Sequence, residues 1–471
     1  MASPLEESSN PKNKPRVNLT SGSIAVSLFT LAWPVVLSNL LQTVYNLADT
    51  YWVGGLGADA VAAISVGFPV VFLFISLGGG LVIAGTTLVA QNVGAGRDNA
   101  ADYTTSQTLG FVGIVSLCLA ILGFFFSESV VRLMGPEPAV IEVAVVYLKI
   151  WFAGVPFVFG FFVFQALMRG SGNTVSPMRI MVASTLLNII LDPFLIYGWG
   201  PFPAMGVPGA AVATVFSRGL ATIFGMAILF KGTMGLKAKI ADLWPRWETI
   251  RSILSIGGPA AIEQSSRAIG MTAMTAVVAA YGTPALAAFG IGNRVISVVF
   301  MPSMGFAEST TAMVGQNLGA GLPDRAERAT WIGAGSMMGI LTALGALIYL
   351  AAEHVGGIFL PADDVQALLH TATYLRIAAF SFGFIGVMNV VNGAFRGAGK
   401  TAVAMTFSII TLIGLRVPLS YSLAGFTSLG THGLWWGVFL SNVIGGILAT
   451  AWFRRGGWKQ RLIEDEPVPG G

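Results

Sequence analysis

The chain reads Gln91-Asn92-Val93-Gly94-Ala95-Gly96 and, 225 residues later, Gln316-Asn317-Leu318-Gly319-Ala320-Gly321. The same offset relates Pro34 to Pro259, Gly57 to Gly282, Ala62-Ala63 to Ala287-Ala288 and Gly67 to Gly292. At an offset of 227, Tyr147-Leu148-Lys149-Ile150 matches Tyr374-Leu375-Arg376-Ile377, and Arg169-Gly170-Ser171-Gly172-Asn173-Thr174 matches Arg396-Gly397-Ala398-Gly399-Lys400-Thr401. The chain is therefore a duplicated unit. Each Gln-Asn-x-Gly-Ala-Gly reads as a helix C-cap and turn, with glycine supplying a positive φ.

What is duplicated follows from composition. Of 471 residues, 54% are hydrophobic and 10% charged, and the mean hydropathy is +0.75. Soluble domains carry about 25% charged residues, so lipid must be the main solvent here. Charge-poor runs long enough to cross a bilayer fall at 23–50, 58–88, 104–127, 142–168, 176–197 and 207–230, then at 249–280, 284–314, 328–352, 368–395, 402–424 and 432–454. The expected fold is an all-α polytopic membrane protein, with twelve transmembrane helices in two parallel six-helix repeats. An even number per repeat sets both the same way round, as two lobes about a pseudo-twofold axis along the membrane normal. The expected divisions are an N-terminal tail 1–22, an N-lobe 23–230, a linker 231–248, a C-lobe 249–455 and a C-terminal tail 456–471.

Orientation follows from the basic residues. One set of loops and helix ends carries Lys12, Lys14, Arg16, Arg97, Arg169, Lys231, Arg246, Arg325, Lys400 and Arg454 among others; the opposite loops carry Arg132 alone. Basic loops stay cytosolic, so both termini are expected in the cytosol of a cell with the chain in its plasma membrane. The first residues are polar and basic, and the following apolar run is too long for a signal-peptide core. The net charge of +4 thus sits where a membrane protein keeps it, and nucleic acid is not expected as a partner.

Other chemistries find no support. Cys118 is the single cysteine, which excludes an internal disulfide and any cysteine zinc site. His354, His370 and His432 have no ligand spacing. The stretch Ala394 to Thr401 satisfies a relaxed P-loop pattern but lacks the preceding strand, and its counterpart has Asn173 in place of the lysine. A tight turn between helices is the expectation there. No enzyme is indicated, because an intramembrane transferase would need a clustered nucleophile or His/Asp site. No cofactor is expected beyond a coupling ion.

Ionisable residues inside a membrane are costly and mark function. Asp49 ends a polar stripe of Asn39, Gln42 and Asn46 at helical spacing. Asp192 follows Asn188 by one turn and precedes Pro193, which frees a backbone carbonyl. Counting along the spans puts Asp49, Asp192 and Thr214 in the outer half of the bilayer. Two carboxylates, an amide oxygen and a hydroxyl suit a hard cation such as Na⁺, or a proton shared between carboxylates. The second repeat differs in sign, with Arg416-Val417-Pro418 near the equivalent position and Arg294 where the first has Pro69. Glu263 and Arg267, spaced i, i+4, are expected to neutralise each other, with Glu308 joining them or meeting Arg294. The cation site is thus expected in the first lobe alone.

These repeated motifs and the stripe Tyr45-Asn46-Leu47-Ala48-Asp49-Thr50 resemble the multidrug and toxic compound extrusion (MATE) family over residues ~20 to ~455, and most nearly its DNA-damage-inducible-F type. The resemblance implies export of organic cations and other amphipathic compounds against Na⁺ or H⁺ entry, by alternating access. It places Asp49, Asn188, Asp192 and Thr214 on an N-lobe cation site and Gln42 on a polar cavity. Asn39, Asn46, Phe159, Met205 and Met226 are further cavity candidates. Members of the NorM type use extra acids in the C-lobe, and 368–395 has none in its core, offering only Asn389 and Asn392. Membrane lipid and small-molecule drugs are the expected partners, and a two-lobed monomer suffices for the cycle. The rival expectation is a lipid-linked precursor flippase whose cavity would draw on Arg267, Arg294 and Arg416.

Overall fold

The structure, a computed structural model, describes residues 17–360 and 364–463. The expected tails therefore lie largely outside the described residues, including Lys12, Lys14 and Arg16. The first half holds α1 (Ile24–Gly54), α2 (Ala58–Gly94), α3 (Asp98–Met134), α4 (Pro138–Gly170), α5 (Val175–Tyr197) and α6 (Val207–Lys231). The second holds α7 (Trp247–Ala279), α8 (Thr283–Gly319), α9 (Pro323–Phe359), α10 (Val365–Ala379), α11 (Phe382–Gly397), α12 (Thr401–Ile409), α13 (Arg416–Gly425) and α14 (Thr431–Arg454).

Among the described residues, these fourteen α-helices make twelve spans. Helices α10 and α11 form one span bent by 53°. A π-helical turn, Ile410–Leu415, joins α12 to α13 in another. Among the described residues, nine of these helices and the continuous Thr401–Gly425 span are long and apolar enough to cross a membrane, and the bent pair makes an eleventh. The twelfth, α7, matches α1 in length but carries Glu263 and Arg267 within it. The helices overrun the expected spans: α2, α3, α8 and α9 each have 37 residues. At 1.5 Å per residue that is about 55 Å, well beyond a ~30 Å hydrocarbon layer. Apolar counting finds only the lipid-facing part of such a helix.

The duplication is visible at single residues. Gly96 and Gly321 have φ of 70° and 71°. Each closes the same cap, with Arg97 N–H bonding Asn92 O at 3.0 Å and Leu322 N–H bonding Asn317 O at 2.8 Å. The repeated glycine of the second helix takes the repeated tyrosine of the fourth: Gly67 lies against Tyr147, and Gly292 against Tyr374. A side chain at Gly292 would collide with that ring. Each lobe has its own core, around Phe152, Phe161 and Phe164 in the first and around Tyr374 and Trp435, 4.4 Å apart, in the second.

The repeats diverge where the second is broken. The bend at Phe380-Ser381 has no proline, whereas α4 contains Pro156 and runs on unbroken. Pro193 sits inside a continuous α5, but near Pro418 the helix widens to a π turn. Such turns cluster at functional or strained positions.

The lobes meet mainly at the end carrying the two Gln-Asn turns, here termed the basic end. Thr87 Oγ1 bonds Arg396 O at 2.9 Å, Gln91 Nε2 bonds Gly397 O at 3.0 Å, and Gln316 Nε2 bonds Gly170 O at 2.8 Å. Among the described residues, the last hydrogen bond between lobes toward the far end is Thr43 Oγ1 to Met301 Sδ, at 3.5 Å. The described parts of the tails pack across this seal rather than hanging free. Arg325 and Asn317 donate to the Leu19 carbonyl, and Leu462 N–H donates to Gln91 Oε1 at 2.8 Å. The linker is held along α3, where Gln107 Nε2 bonds Asp242 O and Trp244 O at 2.7 and 2.9 Å.

Candidate functional site: a buried carboxylate pair and a central cavity

Helices α1, α5 and α6 bring the expected cation residues together in the half of the first lobe nearest the far end. Thr214 Oγ1 donates to Asp49 Oδ2 at 3.3 Å, and Asn188 Nδ2 donates to Asp192 Oδ1 at 3.2 Å. Asp49 also interacts with Asp192 and Asn188. Asn188 and Asp192 are fully buried. Asp49 Oδ1, Asp192 Oδ2 and Asn188 Oδ1 are buried without a hydrogen-bond donor. Buried acceptors of that kind are costly unless something positive or a proton satisfies them. Three oxygens of this chemistry fit a hard monovalent cation or a proton.

Sequence reasoning missed Arg218. It lies on α6 one turn beyond Thr214 and is 3% exposed. Its guanidinium donates to Gln42 Oε1 at 2.5 Å and stands 4.5 Å from the Tyr45 ring and 5.5 Å from the Phe161 ring. Its charge acts on Asp49. A count of charges along the sequence registers Arg218 only as the end of an apolar interval; its helical position one turn after Thr214 was the available signal.

Between the lobes lies a cavity of about 350 Å³, lined by Asn39 and Gln42 of α1 together with Gln264, Arg267, Asn389 and Arg396 of the second lobe. The other cavity candidates sit elsewhere. Asn46 is exposed and accepts from Gln42 Nε2 at 3.2 Å. Phe159 is buried in the first lobe's core against Gly78, Met226 packs beside that core, and Met205 sits in the turn before α6. The apolar part of the cavity wall comes instead from Phe72, Ile75, Phe162, Met181 and Met304.

The second lobe's charges pair differently from expectation. Glu263, fully buried, takes a two-pronged bond from Arg396, with the Nε to Oε2 contact at 3.0 Å. Arg267 is only a secondary neighbour of Glu263, at 4.0 Å. Glu308 meets neither of these nor Arg294; it pairs with Arg169 across the lobes. Helical spacing favours the i+4 partner, but the last turn of α11 delivers a better-aligned guanidinium from Arg396. The flippase arginines are not gathered: Arg267 lines the cavity, Arg294 is exposed, and Arg416 donates to Asn442 Oδ1 at 2.6 Å.

With this geometry in hand, the chain matches the MatE family model over residues 34–194 and 259–422, one match per repeat. It is 30% identical to a probable multidrug resistance protein, YoeA, of Bacillus subtilis (strain 168), over 98% of this chain and 99% of that protein. It is 28% identical to a FAD transporter of Shewanella oneidensis, over 92% of this chain and 95% of the other. Among solved structures, it is similar to an outward-facing conformation of a multidrug resistance MATE family transporter of the MOP superfamily. That likeness has a TM-score of 0.88 and 27% identity, covering 94% of this chain and 98% of that one.

Proposed function

The chain belongs to the MatE family, and from that premise we propose that it is a secondary antiporter that exports organic cations and other amphipathic compounds in exchange for Na⁺ or H⁺. The observation that carries this reading is the pair Asp49 and Asp192, buried together with unsatisfied oxygens on α1 and α5. Two intramembrane carboxylates destabilise a fold unless they bind something. Arg218 offsets one of the two negative charges, so a single monovalent cation or proton leaves the cluster neutral.

Helix α1 links ion to substrate. It carries Asp49 in the ion site, Asn39 and Gln42 on the cavity wall, and Pro34 inside the helix beside the cavity-lining Val35. The Arg218–Gln42 bond ties the two sites at one residue. In the reading we favour, the basic end is cytosolic and sealed, and the cavity faces outward. The carboxylates take up Na⁺ or H⁺ from outside, which lowers the affinity for substrate; by reciprocity, substrate bound from the cytosol expels the ion inward. The ion site belongs to the first lobe, because α11 contains no acid and Glu263 is already paired. That pattern favours the DNA-damage-inducible-F type within the family.

The test is efflux of a fluorescent organic cation from proteoliposomes under separately imposed Na⁺ and pH gradients. Efflux driven by one gradient and abolished by Asp49→Asn and by Asp192→Asn supports the reading. Undiminished efflux in both variants overturns it.

A further inference from the structure

The wall of the central cavity carries more positive than negative charge. Arg169 pairs with Glu308, and Arg396 is taken by the fully buried Glu263 behind it. Arg267 remains: its side chain is 26% exposed on the cavity, its contact with Glu263 is 4.0 Å, and that carboxylate already serves Arg396. The Phe300 ring, 5.6 Å from its guanidinium, supplies a weak attraction and no counter-charge. On the facing α1 wall, Asn39 Nδ2 is a buried donor with no acceptor. The neighbouring Gln264 adds an amide to the same cavity.

A guanidinium with a shared counter-ion and an unpaired amide N–H both look for acceptor oxygens. In a low-dielectric cavity the mismatch is costly, and a ligand that supplies negative oxygen removes it. Arginine donors fit planar or tetrahedral oxyanions through two parallel bonds. A purely cationic ligand would instead meet Arg267 head-on, at a penalty.

We infer that the cavity selects amphipathic compounds bearing an oxyanion, a carboxylate or a phosphate, with zwitterions included, and that Arg267 is the residue that recognises it. The inference rests on the antiporter reading and narrows its substrate class. The oxyanion binds between Arg267 of α7 and Asn39 of α1, so it bridges the two lobes. The ion site in the first lobe remains separate. Inward movement of a cation and outward movement of an anion would both carry positive charge into the cell, making export responsive to the membrane potential.

The experiment uses the full chain in proteoliposomes with three probes: carboxyfluorescein, methylumbelliferyl phosphate and ethidium. Wild type is compared with Arg267→Gln, Arg267→Lys and Asp49→Asn. The expected result is gradient-driven export of at least one oxyanion probe, reduced about tenfold or more by Arg267→Gln and only partly restored by Arg267→Lys, which keeps the charge but not the paired donors. Ethidium export should be weaker in wild type and unchanged or raised in Arg267→Gln. The carboxylate and phosphate arms say which oxyanion fits. Export of ethidium alone, sensitive to Asp49→Asn, would overturn this inference and leave the antiporter reading standing. So would oxyanion export indifferent to Arg267→Gln. No gradient-driven export of any probe would overturn both.

Discussion

The Gln91 side-chain amide donates to the Gly397 carbonyl across the lobe interface, and its repeat counterpart Gln316 donates back to Gly170. The motif that reveals the duplication therefore also joins its two products, each copy reaching into the arginine-glycine turn of the other lobe. The glycines beside them make this possible. A Cβ at Gly319 would run into the Gln91 carbonyl, and one at Gly94 into that of Gln316. Replacing Gln91 by Ala should loosen the sealed state by about 1 kcal/mol, a roughly fivefold shift toward opening at the basic end. Nitroxides at Lys231→Cys and Arg455→Cys in a Cys118→Ser background report it as a broadened, longer interspin distance. An unchanged distribution in both Gln91→Ala and Gly319→Ala would refute the seal.

The Arg169–Glu308 pair spans the lobes at the edge of the cavity. Its partners are partly exposed, so its contribution is that of a screened pair, about 1 kcal/mol or somewhat more. A double-mutant cycle on thermal stability with Arg169→Gln and Glu308→Gln should give a coupling energy of about that size. Additive effects of the two substitutions would mean that the contact does no work in the sealed state.

Removing Arg218 should tighten the ion site. With Arg218→Gln the carboxylate pair loses the positive charge beside it, so the ion concentration for half-maximal exchange should fall about tenfold. Turnover should fall with it, because the ion is then released slowly and the bond to Gln42 is gone. Arg218→Lys should restore part of the charge effect. Higher ion requirement in Arg218→Gln would contradict the proposed electrostatics.

Glu263 is expected to matter for stability and not for coupling. It is fully buried with Arg396 as its partner. Glu263→Gln leaves a buried guanidinium without its counter-charge, a loss of about 3–5 kcal/mol. Melting temperature should drop sharply, while the ion dependence of whatever folds stays that of wild type. A normal melting temperature with altered ion dependence would move the ion site into the second lobe.

The reach of the sequence can be judged at particular residues. Gly96 and Gly321 were legible because a cap that needs positive φ admits almost only glycine. Asp49, Asn188 and Asp192 stand out as candidates because charge and amide are rare in an apolar span, whereas Thr214, one hydroxyl among many, is singled out only by its depth in the span and by the family resemblance. The partner of Glu263 was not legible. Arg267 is near it in sequence, but Arg396 reaches it through the packing of α7 against the other helices of its lobe, which no local pattern encodes. The cavity side chains show the same limit: Asn39 and Gln42 line the cavity, whereas Asn46, one turn further along the same stripe and bonded to Gln42, is exposed and does not line it. Phe159 and Met205 had size to recommend them, and size equally suits a core or a loop.

The most direct test is the exchange itself. Proteoliposomes loaded with substrate and an internal Na⁺- or pH-sensitive dye report both partners at once. Ion entry should begin with substrate exit, hold a fixed ratio to it and vanish in Asp49→Asn and Asp192→Asn. Ion-coupled export that continues with both carboxylates replaced would contradict the assignment of coupling to this pair.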